Sequence, residues 1–437
     1  MGFGENFIWG AATASHQIEG AYLDDGKGLN IWDALCDGHV RNRDDGKVAC
    51  DHYHKFREDV ALMKEIGLKS YRFSVSWARI FPDASGVVNE AGLAFYKSLV
   101  DELVAAGITP MCTLYHWDLP MWLHEMGGWQ NEAIIEHFVR YAEVMVEALS
   151  DKIEYWLTFN EPHCIIHAGY KSGAHAPFMQ LDDDLVNNAT RILMLSHGKA
   201  VIRMREVAKQ PIKISSVPVC SIRIPKSESR EDIEIAREQS YARNDDWFSE
   251  SWWSDPVYLG KNAPGYDFLS EDDLRTIAQP LDFYAFNLYN AGGFNNGGID
   301  ASEDGYPGYP QTTMDWAITP DCLYWAPRLL YERYGLPIMI TENGMANTDF
   351  VMLDGKVHDP QRIDYIARYL KALKRAVEEG IPVLGYQYWS LMDNFEWALG
   401  YSRRFGLIYV DYRTTERVLK DSAYFYRDII KSNGENI

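Results

Sequence analysis

The chain has 437 residues, is 47% hydrophobic and carries no low-complexity tract, which excludes a disordered or fibrous class and leaves ample length for a large core. Its formal charge of −21 repels phosphate backbones and anionic bilayers, so no nucleic-acid or membrane partner is expected. The charge reads as a solubility feature and says nothing positive about a substrate. The six cysteines (Cys36, Cys50, Cys112, Cys164, Cys220 and Cys322) are scattered without a CxxC pair, the usage of a reduced, cytoplasmic protein. No basic region followed by a long apolar run opens the sequence, so no leader or spanning segment is expected. Gly2 does not make a myristoylation signal, because Asn6 stands where that motif needs Ser or Thr.

Short apolar runs recur at 7–12, 70–77, 109–116, 155–160, 212–219, 282–289, 338–341 and 383–390, the pattern of parallel strands buried on both faces. Amphipathic segments lie between them. Segment 53–66 sets Phe56, Val60, Met63 and Ile66 at helical spacing and closes at Gly67. Segment 91–106 carries Leu93, Tyr96, Leu99, Val100 and Leu103 before Gly107. Segments 132–149 and 361–379 behave alike, the latter ending at Gly380. Eight strand–helix units predict a closed (β/α)8 TIM barrel in one domain over residues 1–437, rather than an open doubly wound sheet. The glycine-rich stretch 291–310 then reads as a loop on the catalytic face, where the C-terminal ends of barrel strands meet.

Two short motifs stand out, Thr158-Phe159-Asn160-Glu161-Pro162 and Ile340-Thr341-Glu342-Asn343-Gly344. Each ends an apolar run with a glutamate and hands the chain to Pro or Gly, as a buried strand does when it stops. A carboxylate is costly to bury inside a sheet, so each is expected at the mouth of its strand. The glutamates are 342 − 161 = 181 positions apart. Two carboxyls brought together by a fold are what cleavage of a glycosidic bond needs. Other strand ends and following loops offer Gln17, Arg72, His116 with Trp117, Asn160, Asn287 with Tyr289, and Trp389 with Glu396 and Trp397. Amides and carboxylates bind hydroxyls, and flat indole faces cover the C–H face of a sugar ring.

Blander features surround this set. His52-x-His54 and His163-x-x-x-His167 have metal-ligand spacing, but no HExxH occurs and the first pair opens a helix, so no metal is expected. No phosphate loop or dinucleotide fingerprint is present, so no cofactor is implied. Asp182-Asp183-Asp184 reads as solvated surface or a helix start. Trp122, Trp129, Trp247, Trp252, Trp253, Trp316 and Trp325 read as core or rim.

From Phe7 to about Ser422 the chain resembles glycoside hydrolase family 1, the β-glucosidase family. The resemblance rests on Phe7-Ile8-Trp9-Gly10-Ala11-Ala12 with Gln17-Ile18-Glu19-Gly20, on Tyr71-Arg72-Phe73-Ser74, and on Thr113-Leu114-Tyr115-His116-Trp117-Asp118-Leu119-Pro120. The two glutamate motifs and Trp389-Ser390-Leu391-Met392-Asp393-Asn394-Phe395-Glu396-Trp397 complete it. Single motifs of this length arise by chance; the ordered set is specific.

The resemblance implies a retaining double displacement, with Glu342 as nucleophile, Glu161 as acid/base and the carboxyls ~5–5.5 Å apart. It implies that Arg72 and Tyr289 hold Glu342 ionised, and that Asn160 bonds the sugar 2-hydroxyl. Gln17, His116, Glu396 and Trp397 resemble binders of the non-reducing-end hydroxyls, and Trp117 a further substrate contact. Asn287 resembles a further polar residue of the subsite, Trp389 the platform under the ring, and Phe405 another substrate contact. Glu396 stands where relatives acting on 6-phosphoglycosides have a smaller residue and a basic clamp, and its charge would repel a 6-phosphate. Leu288, Leu419 and His16 depart from the family pattern outside the catalytic set. The expected substrate is a small oligosaccharide or an aryl or alkyl β-glucoside, with galactosyl and fucosyl units as further candidates. A homo-oligomer stays open. The competing readings are a 6-phospho-β-glucosidase and a catalytically idle sugar-binding barrel.

Overall fold

The computed structural model describes residues 2–242, 249–291 and 308–437. Trp247 and most of the glycine-rich stretch 291–310 therefore lie outside the described residues. Eight parallel strands form the barrel: β1 Ile8–Ala12, β2 Ser70–Ser74, β3 Thr109–Tyr115, β4 Tyr155–Asn160, β5 Lys213–Val217, β6 Tyr284–Asn287, β7 Ile338–Asn343 and β8 Val383–Trp389. Their order is β5-β4-β3-β2-β1-β8-β7-β6. The ring closes between β5 and β6 through an isolated bridge of Val219 with Asn287 and through the Ser215 hydroxyl, which accepts from Ala285 N at 3.2 Å.

All eight predicted strands are present. Their ends differ where a strand runs into a loop: the run 70–77 stops at Ser74, and Trp77 opens the short helix Trp77–Ile80. The predicted helices are His52–Ile66, Glu90–Ala105, Ile134–Leu149 and Pro360–Glu378. Gly67 ends the first at φ 79°, a left-handed position that costs glycine nothing. Asp182 caps the helix Asp183–Val207 by accepting from Leu185 N at 3.1 Å, so the aspartate triplet is a helix start.

The barrel interior is divided along its axis. Met111, Tyr155, Leu157, Val217, Phe283, Ala285 and Met339 form an apolar plug, with Ile8 and Leu384 packed against it. Above the plug the inward positions turn polar: Arg72, Thr113, Asn160, Asn287 and Glu342 are all nearly or fully buried. Simple alternation does not put all of these on the axis. In β4, Tyr155 and Leu157 point inward, so strict period-2 geometry would send Phe159 in and Asn160 out. The register slips between Leu157 and Asn160, a bulge. Phe159 instead stacks outside on Phe138 at 4.4 Å, and Asn160 turns to the axis. β7 slips in the same way between Ile340 and Asn343. Glu342 thereby joins the axis while Asn343 bonds outward to Tyr365 at 3.1 Å. Gly344 follows because β8 lies against it: a Cβ there would stand 1.8 Å from Trp389 O.

All six cysteines are buried and unpaired. Among the described residues no helix is long and apolar enough to cross a membrane.

Candidate active site

The two glutamates are more deeply placed than a strand mouth implies. Glu161 is 2% exposed and Glu342 3% exposed. Burial of a carboxyl is tolerable because every oxygen has a partner. Arg72 Nη1 donates to Glu342 Oε1 at 2.6 Å, and the Tyr289 hydroxyl donates to Glu342 Oε2 at 2.6 Å. Asn287 Nδ2 donates to Glu161 Oε1 at 2.8 Å, and Cys164 Sγ lies 3.1 Å from Glu161 Oε2.

Arg72 is the hub. Its Nε donates to Thr113 Oγ1 at 3.0 Å and its Nη2 to Asn160 Oδ1 at 2.7 Å. With its oxygen so engaged, Asn160 points its amide nitrogen at His116 Nε2, 3.0 Å away. Burial, aided by the nearby Arg72 charge, pushes the His116 imidazole well below its usual pKa, so it is neutral. Nε2 then accepts and Nδ1 carries the proton, a donor with no partner among the described residues.

The two carboxyls differ in electrostatics. Desolvation, then the proximity of Glu342, raises Glu161 from 4.5 to about 7. Desolvation raises Glu342 above its ordinary value too, but there the Arg72 charge and the Tyr289 hydroxyl work against it. The only guanidinium in contact with either carboxyl among the described residues is on Glu342. The pair therefore keeps its proton on Glu161 and its charge on Glu342.

A second group of residues lines the wall nearest the loop after β8. Gln17 Nε2 donates to Phe395 O at 2.8 Å and reaches Glu396 Oε2 at 3.3 Å, while Gln17 Oε1 has no partner among the described residues. Asn394 Nδ2 donates to Glu396 Oε2 at 3.0 Å. Glu396 keeps part of its surface open. Its carboxyl is nevertheless pushed up to about 8 by desolvation and by facing Glu342 and Glu161. The His116 ring stacks between Trp389 (5.8 Å) and Trp397 (5.9 Å). Phe405 packs beside Tyr289 and Trp316, at 6.0 and 6.2 Å.

Two expected substrate contacts have their polar hydrogens engaged within the protein. Both Asn287 amide hydrogens are spent inside the protein, on Glu161 and on Asn160 Oδ1 at 3.0 Å, and its oxygen accepts from Thr341 Oγ1 at 2.8 Å. Asn287 is a brace between the two glutamate motifs rather than a free polar group. Trp117 likewise gives its indole N–H to Asn160 O at 2.9 Å and packs its ring on Trp397 at 4.7 Å. Sequence reasoning also missed Thr113, Thr341 and Cys164. Only Cys164 carried a signal, its spacing three residues beyond Glu161. The backbone holds Glu161, Trp117 and Trp397 at φ of 45°, 75° and 47°, a left-handed region that non-glycine residues enter at a cost and that clusters at functional sites. Of the histidine pairs, His52 is bound to Asp59 at 2.7 Å and His54 to Asp51 at 2.6 Å, so the first pair does not converge.

A buried carboxyl that keeps a proton, facing one that keeps a charge, in a pocket walled by indoles and amides, suits proton delivery and nucleophilic attack at one acetal carbon. The comparisons with known proteins agree with that chemistry. The model of glycosyl hydrolase family 1 matches residues 1–435. The chain is 43% identical to β-glucosidase A of Acetivibrio thermocellus, covering 99% of each sequence. It is 37% identical to the aryl-phospho-β-D-glucosidase BglC of Bacillus subtilis, covering 100% of this chain and 98% of the other. The structure of β-glucosidase from Thermotoga maritima in complex with glucoimidazole superposes with a TM-score of 0.89 at 40% identity, with 99% of each chain covered. This chain belongs to glycosyl hydrolase family 1 and is a glycoside hydrolase with a (β/α)8 barrel fold.

Proposed function

We propose that the enzyme is a retaining, exo-acting β-glucosidase that removes terminal non-reducing β-D-glucosyl units. The observation that carries this reading is the division of labour between Glu342, held by Arg72 and Tyr289, and the proton-bearing Glu161. Glu342 attacks the anomeric carbon as Glu161 protonates the departing glycosidic oxygen. Covalency neutralises Glu342, which removes the charge that held the proton on Glu161. Glu161 is then a carboxylate and takes a proton from the water that releases the sugar with net retention. Gln17, His116 and Glu396 supply hydrogen bonds to the bound sugar, over the indole of Trp389.

The surroundings of Glu396 favour an unphosphorylated substrate. Its side-chain partners are the neutral Gln17 and Asn394. Ionised, it repels a 6-phosphate; protonated, it offers one donor where a dianion needs a cation. Similarity to BglC is what keeps the phosphoglycosidase as the second reading. β-Galactosides and β-fucosides are further candidate substrates, and cellobiose is the natural disaccharide to test. Six unpaired cysteines support a reducing, cytoplasmic setting. Initial rates on p-nitrophenyl β-glucoside and its 6-phosphate decide between the readings. Turnover of the free glucoside at least about a hundredfold faster is expected; preference for the phosphate refutes the proposal, and binding without turnover of either marks an idle barrel.

A further inference from the structure

The residue three positions beyond Glu161 is placed against it by the fold. Cys164 N and Ile165 N both donate to Glu161 O, at 2.9 and 3.1 Å, so the chain turns helically at once and the Cys164 side chain returns over the carboxyl. Cys164 Sγ lies 3.1 Å from Glu161 Oε2 in a setting where both residues are buried. The other oxygen, Oε1, is held by Asn287, whose orientation is fixed by its bonds to Asn160 and Thr341. We propose that Cys164 is a positioning residue for the acid/base, holding the Oε2 edge of Glu161 while Asn287 holds Oε1. The inference rests on the role given to Glu161 above.

An amide N–H on Oε1 makes that oxygen an acceptor in both protonation states. The proton that Glu161 delivers and recovers is therefore on Oε2, the oxygen beside the thiol. When Glu161 is ionised, S–H donates to Oε2; when it is protonated, the sulfur is only a weak acceptor. The thiol thus favours the carboxylate slightly without trapping it, which suits a group that must be acid in one step and base in the next. Cys164 does not itself titrate, because burial first, and then the neighbouring Glu161, push its thiol far above the usual range. The charged and titratable groups facing Glu161 from the other elements are Glu342, Arg72, Tyr289 and Glu396. None of them changes when Cys164 is replaced. A small cavity lined by Trp117, Cys164, Ile165 and His175 adjoins the thiol, so smaller side chains fit without a clash.

The test is the pH dependence of kcat/KM for Cys164→Ala and Cys164→Ser, with thermal melting to verify folding. A β-glucoside with a poor leaving group and the 2,4-dinitrophenyl glucoside, which needs no protonation, are compared. Alanine removes the donor and should move the alkaline limb up by about half a unit; serine, a stronger donor, should move it down by about as much. The poor substrate should lose about fivefold with alanine and the dinitrophenyl glucoside less than about twofold. Limbs that stay in place, or move the same way in both variants, overturn the proposal, since a packing role would not produce opposite shifts. Glu161→Gln is the control. Equal losses on the two substrates there overturn the acid role and this inference together, whereas failure of the Cys164 variants alone leaves the acid role intact.

Discussion

Two buried charge clusters share the loop that follows β8, and they are balanced differently. In the first, Lys420 Nζ contacts Asp349 at 2.5 Å and Asp393 at 2.6 Å, Arg362 contacts Asp349 at 2.6 Å and also binds Asp359, and Arg404 contacts Asp393 at 2.6 Å. Three cations meet three carboxylates. Burial alone would raise Asp349, yet Lys420 and Arg362 hold it below the usual carboxylate value. In the second cluster Glu161, Glu342 and Glu396 face one another, and Arg72, bonded to Glu342, is the single guanidinium in contact with the three among the described residues. The surplus appears as protons held on Glu161 and Glu396. A matched cluster is a scaffold, rigid because each charge has an answer. An unmatched one stores protons that chemistry can spend.

Removing members of each cluster tests that contrast. Glu342→Ala should lower kcat by about 10⁴-fold or more, with azide restoring turnover and giving an α-glycosyl azide. Unaided hydrolysis at the wild-type rate would break the assignment of the charge to Glu342. Glu161→Ala should cost about 10³-fold on poor leaving groups and far less on activated ones, as read from a leaving-group series. A uniform loss would argue that no proton is delivered from this position. Lys420→Met should act on the fold instead: about 3–5 kcal/mol of stability lost in urea denaturation, because two aspartates are left without their ammonium, with the leaving-group dependence of the remaining activity unchanged.

The smallest effect concerns the slope of stability with pH. The native protein keeps the Glu161 proton up to about 7, against 4.5 for an unperturbed glutamate, so it binds more protons than the unfolded chain across that window. Stability is present below 4.5 and is lost as pH rises through 7. Glu161→Gln removes the titration, so its free energy of unfolding in urea should gain on that of the wild type between pH 5 and pH 8, by about 1–3 kcal/mol. A constant difference across that range would place the shared proton elsewhere.

The strand cores were legible because their residues are apolar without alternation, which only strands covered on both faces can afford. The two glutamates were legible because a carboxylate ending such a run is conspicuous. The internal partners of Asn287 and Trp117 were not legible for one common reason: a polar atom near a sugar-like pocket looks free in sequence, and its partners in the fold are backbone or side-chain atoms more than 40 positions away. Cys164 was passed over as one of six scattered thiols.

The amino-acid sequence by itself determined the strand–helix rhythm, the motif order and the chemical inventory of the pocket, since these follow from hydrophobic period and residue type. Which side chains reach the axis was decided only by tertiary structure. One-residue slips in β4 and β7 reverse the facing of Asn160 and Glu342, and a slip of register leaves no mark in composition. The protonation of Glu161 and Glu396 was decided there too, because it depends on how many carboxyls share one guanidinium, a count that exists only once the barrel is closed.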